Sequence, residues 1–137
     1  MSPILSLTLD GISTIVPYSA QGISILNLRY FCSGIDMWKN DNGDINDGIL
    51  ELFTFPGAFY LGSIKVGLTT PKRLAQCKEV MIESNDKFKA TDSITIQVDG
   101  EARVLYAPFK IIITKSEHSA LMLKGTQRAI GTFDICC

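Results

Sequence analysis

The stretch Ser93-Ile-Thr-Ile-Gln-Val-Asp-Gly-Glu-Ala-Arg-Val-Leu-Tyr106 constrains the fold of this chain more than any other. Two runs of β-branched and apolar residues are joined there by Asp99-Gly100. A two-residue turn between antiparallel strands demands positive φ at both positions, which Asp tolerates and Gly adopts freely, so the spacing predicts a hairpin. On its first strand Ile94, Ile96 and Val98 share one face, and Thr95, Gln97 and Asp99 share the other. One face therefore belongs to a core, and Ile96, Val98 and Val104 are expected to pack beneath the tip. Asp99 and Glu101 then stand at the end of a rigid ribbon, a place suited to a general base. Turn chemistry alone also accounts for Asp99, and solubility for Glu101, so the residues by themselves leave both readings open.

The same logic extends along the chain. Pro3–Leu9 alternates apolar and polar residues, and Asp10-Gly11 turns it into a second strand over Ile12–Val16. Gly22–Leu28 is apolar on both sides and is expected at the centre of a sheet. Ile49–Phe55, Leu74–Glu83 and Phe109–Thr114 read as further strands. Gly57–Gly67 suits one short helix, ended ahead of Pro71. Phe31–Gly48 is polar and rich in Gly, Asn and Asp, and reads as a long loop. Met122–Cys137 has no clear period and is either a terminal strand or a disordered tail. Many short strands with turn signals between them, and at most one or two short helices, predict a mainly β protein, an antiparallel β-sandwich. At 137 residues it forms one domain, 1–137, with a core over about 3–123 and a terminal tail over 124–137.

Composition narrows the function classes. The net charge is −1, so no global field recruits nucleic acid or an anionic membrane, and aromatics are not interleaved with basic residues as a nucleic-acid platform requires. The charge is uneven: residues 1–60 hold two basic and six acidic side chains, and residues 61–137 hold eleven basic and eight acidic. Apolar residues make up 46% and mean hydropathy is +0.20, high enough that part of the surface is expected to lie against a partner or to drive self-association. Cys32, Cys77, Cys136 and Cys137 have no metal-ligand spacing, and no signal peptide or 18-residue apolar run occurs, which together point to a reducing, cytoplasmic setting. The single His118 has no Ser or Cys partner at readable spacing, and no Gly-rich phosphate loop occurs.

The acidic run Asp36, Asp41, Asp44, Asp47 and Glu51 could bind a hard cation, since Mg²⁺ and Ca²⁺ want several oxygen ligands close together. It departs from the EF-hand spacing, and a solvated acidic loop is the simpler reading on spacing alone.

Five ordered blocks make the sequence specific. Ile25-Leu-Asn-Leu, Gly34-Ile-Asp-Met-Trp38, Asp47-Gly-Ile-Leu-Glu-Leu52, Arg73-Leu-Ala-Gln76 and Gln97-Val-Asp-Gly-Glu101 resemble, in the same order, the accessory domain of eukaryotic diacylglycerol kinases, a part of the NAD kinase/diacylglycerol kinase-like fold. The likeness runs from about Leu9 to Leu123. It departs where that family usually has Pro-Ser and three glycines: this chain has Arg29-Tyr30 and Cys32-Ser33-Gly34. After Glu101 the common Pro-Trp is Ala102-Arg103 here.

The resemblance implies a piece of a larger lipid kinase, inactive alone, whose catalytic domain in the same polypeptide carries the Gly-Gly-Asp-Gly loop and binds most of the ATP. The reaction implied is transfer of the ATP γ-phosphoryl to diacylglycerol, giving phosphatidic acid, in an enzyme that is cytoplasmic and peripheral to membranes and needs Mg²⁺. It also implies that Asp99 and Glu101 are the candidate catalytic base, and that Asp44, Asp47 and the carbonyl of Ile49 hold Mg²⁺. The alternatives are a β-sandwich protein-interaction module and a cation-binding module. A Gly-rich loop upstream separates the first reading from both.

Overall fold

The computed structural model describes residues 5–32, 34–39, 43–89 and 91–118. The chain enters as β1 (Leu5–Leu9), turns at Asp10-Gly11 into β2 (Ile12–Thr14), and continues as β3 (Gly22–Leu26). A small hairpin follows, β4 (Tyr30–Phe31) with β5 (Ile35–Asp36), and then β6 (Leu50–Phe55) and the helix α1 (Ala58–Lys65). Next come β7 (Arg73–Cys77), β8 (Glu79–Ser84), β9 (Ser93–Val98), β10 (Glu101–Tyr106) and β11 (Lys110–Thr114). All described pairings are antiparallel, in a four-stranded sheet ordered β11-β8-β1-β2, a three-stranded sheet β3-β6-β7, and two hairpins, β4-β5 and β9-β10. The mainly β, antiparallel expectation holds.

Both Asp-Gly pairs form the turns their chemistry dictates. Asp10 and Asp99 each have φ of 48°, and the glycines that follow have φ of 79° and 93°. The closing pairs are Leu9 with Ile12 and Val98 with Glu101. A side chain at Gly100 would be strained by this backbone, which is why Gly stands there.

β6 is the strand around which the molecule is layered. Its Leu52 joins Leu7, Leu9, Cys77 and Val80 in one apolar cluster, which seals the three-stranded sheet against the four-stranded one. On the opposite face Phe53 and Phe55 join Ile35, Met37, Trp38 and Ile64 in a second cluster, under α1 and the β4-β5 hairpin. A strand buried on both faces reads as a continuous apolar run, and Leu-Glu-Leu-Phe-Thr-Phe does so except at Glu51 and the half-buried Thr54.

Three sequence expectations need correction. Gly22–Leu28 is not central: β3 lies at an edge beside β6. Its apolar character on both sides arises because Ile25 packs on one cluster and Leu26 on the other, so two-sided burial reports the covering layers and not a place mid-sheet. Leu74–Glu83 is not one strand. It breaks at Lys78, and β7 and β8 belong to different sheets. The break is held by Asp10, whose Oδ1 accepts the backbone N–H groups of Lys78 and Glu79 at 2.8 Å each, while its own N–H donates to the Glu79 carbonyl at 3.1 Å. Phe31–Gly48 is not loop throughout, since it contains β5 and the end of β4. The tail 124–137, with Cys136 and Cys137, lies outside the described residues.

Candidate functional site

The two carboxylates of the hairpin lie where the sequence puts them. Asp99 occupies the first turn position and Glu101 opens β10 opposite Val98, both exposed to solvent. Glu101 Oε2 accepts a hydrogen bond from Arg103 Nη2 at 3.3 Å, an ion pair whose side chains both remain largely in water. Among the described residues the packing expected beneath the tip does not form. Val98 is 58% and Val104 52% exposed, and Ile96 is only half-buried. β9 and β10 form a two-stranded sheet of their own, held chiefly by each other. The ribbon is an arm, with its acids at the end.

The second candidate is the segment leading into β6. Asp44 Oδ1 accepts the N–H of Asn46 at 2.9 Å, and Asp47 Oδ1 accepts the N–H of Ile49 at 2.8 Å, two side-chain turns that shape the loop and leave the second oxygen of each carboxylate outside those bonds. Gly48 has φ of 75°, and the Lys115 side chain crosses it so closely that a Cβ there would fall 2.9 Å from Lys115 Cδ. The cation therefore shares this corner with two acids. Among the described residues no group of three His, Cys, Asp or Glu side chains is placed to hold a metal. The donors are hard oxygens, which fits Mg²⁺ in kind, and they would have to be completed by water.

The five-acid cluster read from spacing separates into different tasks. Asp36 belongs to a clamp on β5: Arg29 Nε donates to both of its oxygens at 3.0 Å, and Nη2 to Oδ2 at 2.7 Å. The same carboxylate accepts the N–H groups of Trp38 and Lys39 at 3.1 and 2.8 Å. The Arg29 guanidinium, seconded by those amides and against the opposing effect of burial, holds the Asp36 carboxyl below its usual range. Arg29 thus fixes the loop that seats Trp38. The indole Nε1 of Trp38 is buried with no hydrogen-bond partner among the described residues, and Trp38 lines a cavity of about 160 Å³ together with Met37, Phe53, Pro71 and Arg73. Asp41 lies outside the described residues.

Glu51 leaves the cluster altogether. It is 2% exposed on β6, where Oε2 accepts from Arg73 Nη1 at 2.9 Å and Oε1 from Gln76 Nε2 at 2.7 Å. The β6–β7 register sets Glu51 directly opposite Gln76, so two of the ordered sequence blocks meet in one buried polar knot. Reading the sequence missed this. The available signal was a charged residue inside an otherwise apolar strand, which calls for a buried partner.

The fold and its acidic groups define a mainly β, antiparallel module with carboxylates on an exposed arm and on a loop. The sequence matches the diacylglycerol kinase accessory domain family over residues 2–102, and the chain belongs to that family. Diacylglycerol kinase 2 of Arabidopsis thaliana is 34% identical over 103 residues, covering 69% of this chain and 14% of that protein. Diacylglycerol kinase 1 of Arabidopsis thaliana is 32% identical over 100 residues, 67% of this chain and 13% of that protein. Mouse diacylglycerol kinase theta is 32% identical over 116 residues, 80% of this chain and 12% of that protein. The chain thus spans about a seventh of the length of the curated relatives it matches. No solved structure matches it.

Proposed function

We propose that this chain is the accessory part of a lipid kinase that transfers the γ-phosphoryl of ATP to the free hydroxyl of diacylglycerol, giving phosphatidic acid and ADP. Its membership of the accessory-domain family carries the reading. The exposed arm supports it: a carboxylate that takes a proton from a substrate held elsewhere must project from its own domain, and Asp99 and Glu101 do so. Phosphoryl transfer asks the protein mainly for positioning and charge stabilisation, plus one group that orients the acceptor hydroxyl and takes its proton as the oxygen attacks phosphorus. Asp99 or Glu101 has that role. The phosphate cradle comes from a catalytic domain in the same polypeptide, because the Gly-rich loop that such a cradle uses does not occur in these 137 residues. Bound Mg²⁺ would supply positive charge, with Asp44, Asp47 and the Ile49 carbonyl as its protein ligands.

The test is the production of phosphatidic acid by a polypeptide that joins a diacylglycerol kinase catalytic domain to this chain. Activity is expected only when both parts are present, and a catalytic domain equally active without residues 1–137 would refute the reading. In the active polypeptide Asp47→Asn should raise the Mg²⁺ concentration needed for half-maximal rate. An unchanged Mg²⁺ dependence removes the loop from the metal assignment.

A further inference from the structure

Five prolines punctuate the chain, and two of them follow a hydroxyl residue: Pro3 after Ser2 and Pro71 after Thr70. Only the second is followed at once by basic residues, Lys72 and Arg73. Thr70 is exposed on the connection between α1 and β7, where residues 70–72 belong to neither helix nor strand. A residue ahead of proline is pushed out of the helical region into extended backbone. Two side chains hold this connection in place: Tyr60 Oη donates to the Thr70 carbonyl at 2.7 Å, and Lys39 Nζ reaches the Thr69 carbonyl at 3.5 Å. A hydroxyl residue is thus presented at the surface, on non-helical chain, with a proline after it.

Two acids are tied to the same region, and each is matched by an arginine. Asp36 accepts the Lys39 N–H at 2.8 Å, while Arg29 Nη2 donates to its other oxygen at 2.7 Å. Glu51 is buried, and its oxygens accept from Arg73 and Gln76. Lys39 and Lys72 are different. The Lys39 ammonium meets a neutral carbonyl, and Lys72 is exposed two residues beyond Thr70. A dianionic group on the Thr70 oxygen would therefore enter a place where two cations are not matched by these acids.

We propose that Thr70 is a phosphorylation site for a proline-directed serine/threonine protein kinase, and that Lys39 and Lys72 hold the phosphate. In the step itself the Thr70 hydroxyl oxygen attacks the γ-phosphorus of ATP bound to that kinase, the new O–P bond replaces the bond to the bridging oxygen of ADP, and the hydroxyl proton passes to the kinase's catalytic-loop carboxylate. Proline is what such an enzyme can read here, because it has no N–H and fixes its own φ, so the peptide enters extended at little ordering cost. The phosphate then takes charge-assisted hydrogen bonds from the two ammonium groups. Lys39 follows β5 and Lys72 precedes β7, so the phosphate fastens the α1–β7 connection to the loop that seats Trp38, beside the cavity that Pro71 and Trp38 both line. The proposal does not rest on the lipid-kinase reading, since the acceptor and every readout belong to this chain.

The experiment incubates the folded chain with Mg·ATP and a purified cyclin-dependent kinase, and reads intact mass, the modified peptide and thermal unfolding. One phosphoryl group should be added, on Thr70. Thr70→Ala should accept none there, and Thr70→Ser and Thr69→Ala should still accept it. Pro71→Ala should lower the initial rate on the order of tenfold or more, with its circular dichroism spectrum compared to show that the fold is kept. Full phosphorylation should raise Tm by on the order of 2–4 °C, and Lys39→Gln should remove most of that rise when each phosphorylated protein is compared with its own unphosphorylated form. No incorporation, incorporation at Ser2 in place of Thr70, or incorporation only after the chain is heat-denatured overturns the site. A Tm unchanged by phosphorylation, or a rise that Lys39→Gln leaves intact, overturns the assignment of the phosphate to the two lysines.

Discussion

Asp99→Asn and Glu101→Gln, each placed in the lipid kinase proposed above, should fold normally, and at least one should lower kcat on the order of 10²-fold or more, the scale on which loss of a general base is felt. Both substitutions leave the scaffold intact for reasons visible at the tip. Asn adopts the left-handed backbone that Asp99 has at φ 48° as readily as Asp does, so the turn survives while the basic oxygen becomes an amide. Glu101 gives up only an exposed contact with Arg103, the kind of pair that contributes little to stability. A fall in kcat is then chemical and not a folding defect. On the proposed reading the Michaelis constant for Mg·ATP should stay near its original value, because the nucleotide would be cradled by the catalytic domain. Near wild-type turnover by both variants would return Asp99 to turn former and Glu101 to surface charge.

That result also bears on how the arm works. An isolated two-stranded ribbon is marginally stable in water, and this one leaves Val98 and Val104 more than half exposed. A base must be held to within a fraction of an ångström of its reacting geometry. If the tip holds the base as proposed, its rigidity would have to come from whatever the arm docks against. Ile96, Val98 and Val104 form an apolar face that the other described residues leave largely uncovered.

Glu51→Ala should lower the unfolding free energy by about 3 kcal/mol, read as a shift of the urea midpoint at unchanged slope. The carboxylate lies in β6, which puts buried residues into both apolar clusters, and its two oxygens are each matched to a donor. Removing it deprives the Arg73 guanidinium and the Gln76 amide of their shared acceptor beside a buried strand position. The lower end of the usual range applies because the Arg73 side chain is 32% exposed and can turn partly to solvent. Glu51→Gln should cost less, since one amide oxygen still accepts from Arg73 or Gln76. A loss under about 0.5 kcal/mol for Glu51→Ala would show that the knot is dispensable and that β6 is held by its apolar neighbours alone.

What the sequence by itself determined is what short-range physics decides. The Asp10-Gly11 and Asp99-Gly100 turns follow from the φ values those two residue types accept, and each fixes a hairpin register without help from the rest of the chain. The helix at Ala58–Lys65, the strand at Lys110–Thr114 and the mainly β, antiparallel class follow from local periodicity in the same way. The ordered blocks already resembled the family to which the chain belongs. The tertiary structure alone decided which strands became neighbours. Alternation records that a residue is buried and not against what, so β3 read as central although it is an edge, and Leu74–Glu83 read as one strand although Asp10 folds it across two sheets. Charge spacing has the same blindness. Asp36 and Glu51 sit close to Asp44 and Asp47 in the chain, but their partners Arg29 and Arg73 are set by a hairpin and a sheet register: Asp36 stays part-exposed in its clamp, while Glu51 enters the low-dielectric interior, where a carboxylate goes only beside a group that can neutralise it.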